Sequence, residues 1–249
     1  MKNIIEVKNL TVSYQNTPVI EDINFSFEAG KIIGIVGPNG AGKSTMIKAL
    51  LNLIPADQGN ALFFGKSLNQ VRNRVAYIPQ RLNIDWHFPI NVLDTVLLGT
   101  YPKLGLWKRP QKAEKARALA ALKRVEMEDY AHVHISELSG GQQQRVFLAR
   151  VLVQEAEILF LDEPFIGVDV TSEKTMMDIL SQLKKEGKTI FIVHHNLEKV
   201  KEYFDELIVL NKEIIDIGPV ASVFKDDAII KAFKGQIPKS EKEIAYGHH

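Results

Sequence analysis

The chain has 249 residues, of which 45% are hydrophobic and 24% charged, and its formal net charge is +1. A chain of this length can bury a substantial core, while no window approaches the roughly 18 unbroken apolar residues of a membrane span. The lack of cysteine excludes disulfides and thiolate metal sites, and the near-neutral charge gives no reason to expect nucleic acid as a partner. Because the start, MKNIIEVKNL, has no small-residue cleavage site, we expect no signal peptide and a cytosolic protein.

Short β-rich segments open the chain. The first two are IIEVKNLTVSY and VIEDINFSFEAG, and the short, branched run KIIGIVG, bounded by glycines, predicts a buried strand. A helical pattern starts after Lys43 and is expected to end at Pro55. A turn-rich section containing GNALFFG and a strand, RVAYIPQ, follow. The first third of the chain is therefore predicted to form a buried strand, a loop and a helix, with further strands before and after them.

The middle of the chain predicts an inserted helical subdomain over about residues 81–155. In QKAEKARALAALKRV, an apolar stripe is expected at Ala116, Leu119, Leu122 and Val125. From residue 157 onward strands and helices alternate, which is typical of a parallel sheet with helices on its faces. We expect a single domain over residues 1–235 and a polar tail over residues 236–249.

The stretch GPNGAGKST fits the pattern G-x-x-x-x-G-K-[ST] and lies between an apolar strand and a helix, which is the context of a P-loop. Its glycines let successive N–H groups point inward at a helix N-terminus, where they bind phosphates, and the lysine adds a positive charge. The serine hydroxyl suits the Mg²⁺ that accompanies the phosphates. The predicted nucleotide-binding residues are Gly37, Pro38, Asn39, Gly40, Ala41, Gly42, Lys43, Ser44 and Thr45.

Two adjacent acids end the apolar strand in EILFLDEP. They emerge at the carboxyl end of a buried strand, which is where open α/β sheets bind ligands. Asp162 is expected to hold Mg²⁺ through water, and Glu163 to orient or deprotonate the attacking water as the catalytic base. Without a P-loop, the same two acids would more often open an ordinary loop.

The stretch LSGGQQQR, residues 138–145, is polar and glycine-rich and leads into the apolar-periodic run VFLARVLVQ, so it predicts a helix start. Together with the P-loop before it and the acidic strand after it, it resembles the signature of the ATP-binding subunits of ABC transporters. The resemblance covers nearly the whole chain up to about residue 235. It implies an α/β fold with a mostly parallel P-loop NTPase-type sheet, an antiparallel β subdomain and an inserted helical subdomain, and an ATPase that uses ATP with Mg²⁺.

The resemblance also assigns roles to single residues. Tyr14 resembles the aromatic residue that stacks on adenine, although a tyrosine near a strand end is often mere packing. Gln80 resembles the glutamine that reaches Mg²⁺ and links the nucleotide to the membrane partner. His195 resembles the switch histidine that hydrogen-bonds the γ-phosphate, and Asp169 the aspartate that crosses the dimer interface. His194 is expected to be structural.

Two departures from the family pattern affect these roles. Asn196 stands where many relatives have aspartate, and FIGVD replaces the commoner small-residue form of the loop that contains Asp169. Neither departure removes a catalytic group, so hydrolysis is still expected.

A chain with a complete P-loop has no need of a second glycine-rich helix start for its own nucleotide. The resemblance therefore implies that the signature binds the ATP of a second copy, in a homodimer that closes on ATP with two composite sites. The groups expected to do so are Ser139 and the amides of Gly140, Gly141 and Gln142.

The resemblance implies polytopic permease subunits as partners, on the cytoplasmic face of the plasma membrane. The aromatic cluster Trp86, His87, Phe88 and Pro89 is expected either to contact a permease or to pack inside the helical lobe. IDWHFPINVLDTVLLG, together with RP at residues 109–110 and VHH at residues 193–195, resembles the manganese, zinc or iron uptake subfamily, which works with an extracytoplasmic substrate-binding protein. His132 and His134 are not expected to bind metal.

Several other functions stay open from the sequence alone. An importer ATPase for another substrate, such as an iron chelate, would carry the same motifs. A soluble ABC ATPase of translation or DNA repair is disfavoured because the chain has one domain and no sustained heptads. A non-hydrolysing regulator would be expected to lack Glu163 or His195, and both are present.

Overall fold

The computed structural model describes residues 3–80, 88–105, 108–224 and 232–233. The chain forms two compact units, the first made of Met1–Val71 and Thr189–His249 and the second of Arg72–Lys188. Within the described ranges, no helix combines the length and apolar character needed to cross a bilayer. The polar tail, residues 236–249, lies outside the described residues, and the single domain over residues 1–235 stays a prediction.

The described elements are numbered in chain order. The strands are β1 (Ile5–Tyr14), β2 (Thr17–Phe27), β3 (Ile32–Val36), β4 (Gln58–Phe63), β5 (Lys66–Ser67), β6 (Val75–Ile78), β7 (Ile158–Asp162), β8 (Thr189–Val193), β9 (Glu206–Asn211) and β10 (Glu213–Pro219). The α-helices are α1 (Lys43–Leu50), α2 (Leu68–Val71), α3 (Val92–Leu97), α4 (Tyr101–Leu104), α5 (Lys112–Arg124), α6 (Gly140–Gln154), α7 (Val170–Lys185), α8 (Val200–Tyr203) and α9 (Val220–Val223). Short 3₁₀ turns join several of them.

An antiparallel sheet in the first unit has the strand order β2-β1-β4-β5. It confirms that both opening β-rich segments are strands, paired so that Ile5 lies opposite Phe27. A shift in register between β1 and β2 coincides with positive φ angles at Asn9 (49°) and Asp22 (46°). The Asn9 side chain donates to the Asp22 carboxylate at 2.7 Å, and this bond, with one from the Asn24 side chain, lowers the pKa of Asp22.

The other four strands of the first unit lie beside one another in the order β10-β9-β3-β8. Every residue of β3 is buried, and β3 pairs in parallel with β8 and with β9, as the apolar runs predict. Strand β10 was not predicted from the sequence, and it runs antiparallel to β9. Its residues are exposed or half-buried, so it lacks the fully apolar signal of its neighbours.

The helix after the P-loop is confirmed, but it ends earlier than expected. Helix α1 stops at Leu50 and not at Pro55, because Asn52 adopts a left-handed conformation with φ at 53°. The Leu53 amide then donates back to the Lys48 carbonyl at 2.8 Å. The chain has thus already left the helix when it reaches the proline.

The second unit contains the parallel pair β6 and β7, in which Tyr77 lies opposite Phe160. All five residues of β7 are buried. Helix α6 contacts α3, α5 and α7, so it forms the centre of the helical part. The Gln154 side chain near its end donates to the Val75 carbonyl at 2.8 Å and ties the helix to β6.

The apolar stripe predicted for α5 is partly wrong. Ala116 and Leu119 are exposed, and Leu119 has 43% of its surface accessible. The buried residues after Ala116 are Ala118, Ala121, Leu122 and Val125. Positions three apart drift around a helix of 3.6 residues per turn, and the buried set instead follows the i, i+3, i+4, i+7 pattern of a single face.

Candidate functional site: a P-loop, an acidic strand and a capped helix start

The P-loop joins β3 to α1 in the first unit. Gly40 and Gly42 have φ angles of 78° and 93°, which is left-handed backbone that glycine adopts without strain. A Cβ atom on Gly42 would lie 2.3 Å from Ile20 Cγ2, so a side chain has no room there. Gly42 is the residue before α1, and no side chain caps that helix. The first amides of α1 can therefore face a phosphate group.

The side chain of Lys43 is folded into the P-loop. Only 5% of the residue is exposed, and its ammonium donates to the carbonyls of Gly37 and Pro38 at 2.8 and 2.9 Å. Asn39 and Gly40 are exposed at the tip of the loop, whereas Ser44 at the start of the helix is half-buried. The loop thus holds a positive charge among its own carbonyls, at the end of a helix that attracts anions.

The turn between β9 and β10 lies behind this loop. The Lys212 amide donates to the Ala41 carbonyl at 3.0 Å. A Cβ atom on Gly37 would lie only 2.0 Å from the carbonyl oxygen of Leu210. The P-loop backbone is therefore fixed from behind by the end of β9, a support that sequence reasoning did not find.

Asp162 ends β7 in the second unit and is 1% exposed. The Tyr77 hydroxyl, from β6, donates to its Oδ2 atom at 3.3 Å. The pKa of Tyr77 is raised, mainly by burial and to a smaller extent by the negative charge of Asp162. The hydroxyl therefore keeps its proton and acts as the donor. Tyr77 was not among the sequence-predicted site residues.

Glu163 follows at the point where the chain leaves β7. It is half-buried and has a φ angle of 50°, which is uncommon for a residue other than glycine. Gln80 Nε2 donates to Glu163 Oε2 at 2.5 Å. The structure therefore brings together two residues, predicted as catalytic base and Mg²⁺ ligand, that the sequence did not pair.

The signature segment starts α6, as predicted. Its first groups form a capping box, in which Ser139 Oγ accepts from the Gln142 amide at 3.3 Å and Gln142 Oε1 accepts from the Ser139 amide at 2.8 Å. The Gln142 amide, predicted to be available for a second copy's ATP, is engaged within the helix in this structure. The S-x-x-Q spacing that signals this box is visible in the sequence and was missed.

Asp169 is the residue before α7, and its carboxylate accepts from the Ser172 amide at 2.9 Å. This hydrogen bond and one from the Ser172 side chain lower the pKa of Asp169. Gly141 of α6 packs at the same place, since a Cβ atom on it would lie 2.6 Å from Ser172 Oγ. The loop of Asp169 and the start of the signature helix therefore contact the same serine.

His194 and His195 follow β8 and differ sharply in exposure. His194 is 3% exposed and packs against the rings of Tyr203 and Phe204, and burial lowers its pKa to about 4. It is buried and neutral, in keeping with the expected structural role, whereas His195 is exposed. The Asn196 side chain accepts from the Glu198 amide at 2.8 Å, so it caps the next turn as an aspartate would.

Exposed aromatic residues lie at two other predicted positions. Tyr14, at the end of β1, is 49% exposed, which leaves its ring accessible. Phe88 is 59% exposed, so the alternative in which it packs inside the helical lobe is wrong. Trp86 and His87 lie outside the described residues.

Comparisons with known proteins identify the family of this chain. The family described as ABC transporter matches residues 20–166. The chain belongs to the ABC transporter family. It is 48% identical to the manganese transport system ATP-binding protein MntB of Bacillus subtilis, over 98% of both chains. It is also 47% identical to the zinc transport system ATP-binding protein TroB of Treponema pallidum, over 96% of this chain and 92% of that protein.

Solved structures agree with the ABC ATPase fold. CbiO1 from Clostridium perfringens, part of the ABC transporter complex cbiONQ, has a TM-score of 0.78 at 28% identity, over 98% of this chain and 99% of that chain. An ATP-binding cassette of an ABC transporter in its ADP conformation has a TM-score of 0.80 at 24% identity, over 94% of this chain and all of that chain. The latter likeness shows the fold alone.

The donor atoms of this ABC transporter subunit suit Mg²⁺ better than a permanently bound transition metal. Ser44, Gln80 and Asp162 offer a hydroxyl, an amide and a carboxylate oxygen, which are the ligands that Mg²⁺ prefers. Among the residues that the structure describes, no group of three or more His, Cys, Asp or Glu could hold a metal by itself. Taken one by one, these three donors therefore have the chemistry that Mg²⁺ prefers.

Proposed function

We propose that this chain is the ATP-hydrolysing subunit of a manganese importer. The observation that carries the proposal is the 48% identity, over 98% of both chains, to a manganese transport ATP-binding protein. A second manganese transport relative, from Listeria monocytogenes, is 51% identical over 92% of this chain and 95% of that protein. Such identity over nearly the full length supports the same fold and the same class of substrate, a divalent metal ion.

ATP binds at the P-loop in this proposal. The amides at the start of α1 and the Lys43 ammonium contact the phosphates, and the exposed ring of Tyr14 stacks on adenine. Lys43 must then exchange its bonds to the Gly37 and Pro38 carbonyls for phosphate oxygens. That exchange is favourable because a phosphate carries a full negative charge and a carbonyl does not.

Ser44, Gln80 and Asp162 would hold Mg²⁺ with the nucleotide in this proposal, Asp162 through water. When bound, the ion neutralises charge on the β- and γ-phosphates. Gln80 donates to Glu163 in the structure, so it must release that carboxylate before its amide can turn toward the ion. Glu163 is then free to orient the attacking water and accept its proton, while the exposed His195 hydrogen-bonds the γ-phosphate.

Two copies close around ATP as a homodimer. Each P-loop faces the signature helix of the other copy, where Ser139, Gly140, Gly141 and Gln142 bind the γ-phosphate. The capping box at Ser139 opens in this step, and the phosphate oxygens replace the Gln142 and Ser139 side chains as partners of the helix amides. Asp169 lies across the interface and links the two sites.

The membrane part of the system consists of separate subunits. Polytopic permease subunits receive the closing motion, and the exposed Phe88 lies on the surface that meets them. An extracytoplasmic binding protein delivers the metal, so this subunit works from the cytoplasmic face of the plasma membrane without touching the ion.

Zinc is the second candidate substrate. The relative from Treponema pallidum, named as a zinc transport protein, is 47% identical to this chain, nearly as similar as the manganese relatives. The ATPase machinery does not contact the transported ion in this proposal. The choice between the two metals therefore has to be made in cells.

Deletion of the gene, followed by measurement of cellular manganese, zinc and iron under scarcity of each metal, tests the substrate. We expect manganese alone to fall, and the wild-type gene, but not one encoding Lys43→Ala, to restore it. A fall in zinc alone would replace manganese by zinc. Unchanged content of all three metals would contradict metal import and leave the ATPase assignment intact.

A further inference from the structure

Tyr77 lies on the face of β6 that reaches the end of β7. It is directly opposite Phe160 in the parallel pair, and Asp162 is two residues further along β7. Residues two apart on a strand point to the same face, so Phe160 and Asp162 share the face that Tyr77 meets. The register of two strands thus places one phenol beside one carboxylate.

The contact is a hydrogen bond from an uncharged donor. Tyr77 Oη lies 3.3 Å from Asp162 Oδ2, Tyr77 is half-buried, and Asp162 is 1% exposed. A buried carboxylate needs donors, and an arginine or lysine would satisfy it by cancelling its charge. A phenol satisfies one oxygen and leaves the negative charge in place, which suits a carboxylate whose task is to attract a cation.

We propose that Tyr77 is a positioning residue for the nucleotide-bound Mg²⁺: its hydroxyl fixes the orientation of the Asp162 carboxylate before ATP and Mg²⁺ arrive. The proposal rests on the proposed function, in which Asp162 holds the ion through water. Without the hydroxyl, the carboxylate loses one of the groups that orient it, so more of its ordering must accompany ion binding. Mg²⁺ binding then becomes weaker, while the contacts of ATP with the P-loop stay the same.

The test compares Tyr77→Phe with the wild-type protein and with Tyr130→Phe. Both variants lose one phenol oxygen, but Tyr130 lies in the 3₁₀ turn Glu128–Tyr130 and is 38% exposed. Binding of a fluorescent ATP analogue is measured first in EDTA and then as Mg²⁺ is titrated. Because one hydrogen bond contributes about 1 kcal/mol, Tyr77→Phe should need roughly 5-fold more Mg²⁺ for half-maximal tightening. Its affinity in EDTA and both properties of Tyr130→Phe should match the wild type, and its apo melting temperature should fall by about 2–4 °C, the loss expected for one hydrogen bond.

Each other result has a definite meaning. An unchanged Mg²⁺ requirement in Tyr77→Phe would overturn the inference. So would equal weakening with and without Mg²⁺, or loss of the fold, because either would show that the hydroxyl supports the strand pair and not the ion. If Mg²⁺ fails to tighten ATP binding in the wild type, or if Asp162→Asn keeps the wild-type Mg²⁺ requirement, the proposed role of Asp162 is wrong, which is a separate failure.

Discussion

Replacing Gly141 with alanine would put a methyl group where the structure has Ser172. The added Cβ would lie 2.6 Å from both Cβ and Oγ of that serine, across the junction of α6 and α7. Carbon atoms in contact are normally about 3.5–4.0 Å apart, so the two helix starts must separate by roughly 1 Å. Overpacking of this kind typically costs about 1–3 kcal/mol.

The expected result is a lower melting temperature. For a protein of this size, 1 kcal/mol shifts the melting temperature by roughly 2–4 °C, so Gly141→Ala should melt about 2–12 °C lower. Ser172→Gly removes both contacted atoms, so the double variant should recover much of the loss relative to Ser172→Gly alone. ATP hydrolysis should also fall in Gly141→Ala, because the displaced helix start carries the signature residues.

Calorimetry measures the stability of the wild type, the two single variants and the double variant. The four values form a double-mutant cycle. A coupling free energy of about 1 kcal/mol or more between the two positions is expected for groups in direct contact. If Gly141→Ala has the melting temperature of the wild type, α6 and α7 do not meet closely at Ser172 and the reasoning is refuted. The same conclusion follows if the effects of the two substitutions on the free energy of unfolding are additive.

Two further predictions concern the first unit. Burial lowers the pKa of His194 to about 4 from an ordinary 6.5. Between pH 6.5 and pH 4 the unfolded chain therefore binds a proton on this histidine that the folded chain does not bind. The free energy of unfolding consequently decreases as the pH falls through this range. The free energy of unfolding in urea should drop by about 2 kcal/mol from pH 7 to pH 5, and a His194→Phe protein that shows the same drop would contradict this. Gly37→Ala would place a Cβ atom 2.0 Å from the Leu210 carbonyl oxygen and should abolish binding of a fluorescent ATP analogue, whereas wild-type affinity would show that β9 does not fix the loop.

The nucleotide-binding elements were predictable because each is a local pattern. The P-loop needs glycines between a buried strand and a helix, and the acids of β7 follow an unbroken apolar run, so both motifs can be recognised within ten residues. Asn196 illustrates the same principle, since its capping role needs only the next two residues. Patterns of this kind involve only residues that are close together in the sequence.

Contacts between residues far apart in the chain were not predicted from the sequence. Tyr77 meets Asp162 85 residues later, and Gln80 meets Glu163 83 residues later, so both pairings depend on the register of β6 against β7. Strand β10 was missed because an exposed edge strand lacks a strong apolar pattern. The buried face of α5 was misjudged because its alanines fit more than one helical face, and packing against α3 and α6 decides between them.

Hydrolysis by Glu163→Gln protein tests the central claim most directly. The substitution keeps the size of the side chain and removes the base. Incubated with ATP and Mg²⁺ beside the wild type, the variant should bind ATP and form no detectable phosphate, while the wild type turns ATP over. Phosphate release by Glu163→Gln at the wild-type rate would contradict the assignment of the base and, with it, the hydrolytic mechanism proposed for this subunit.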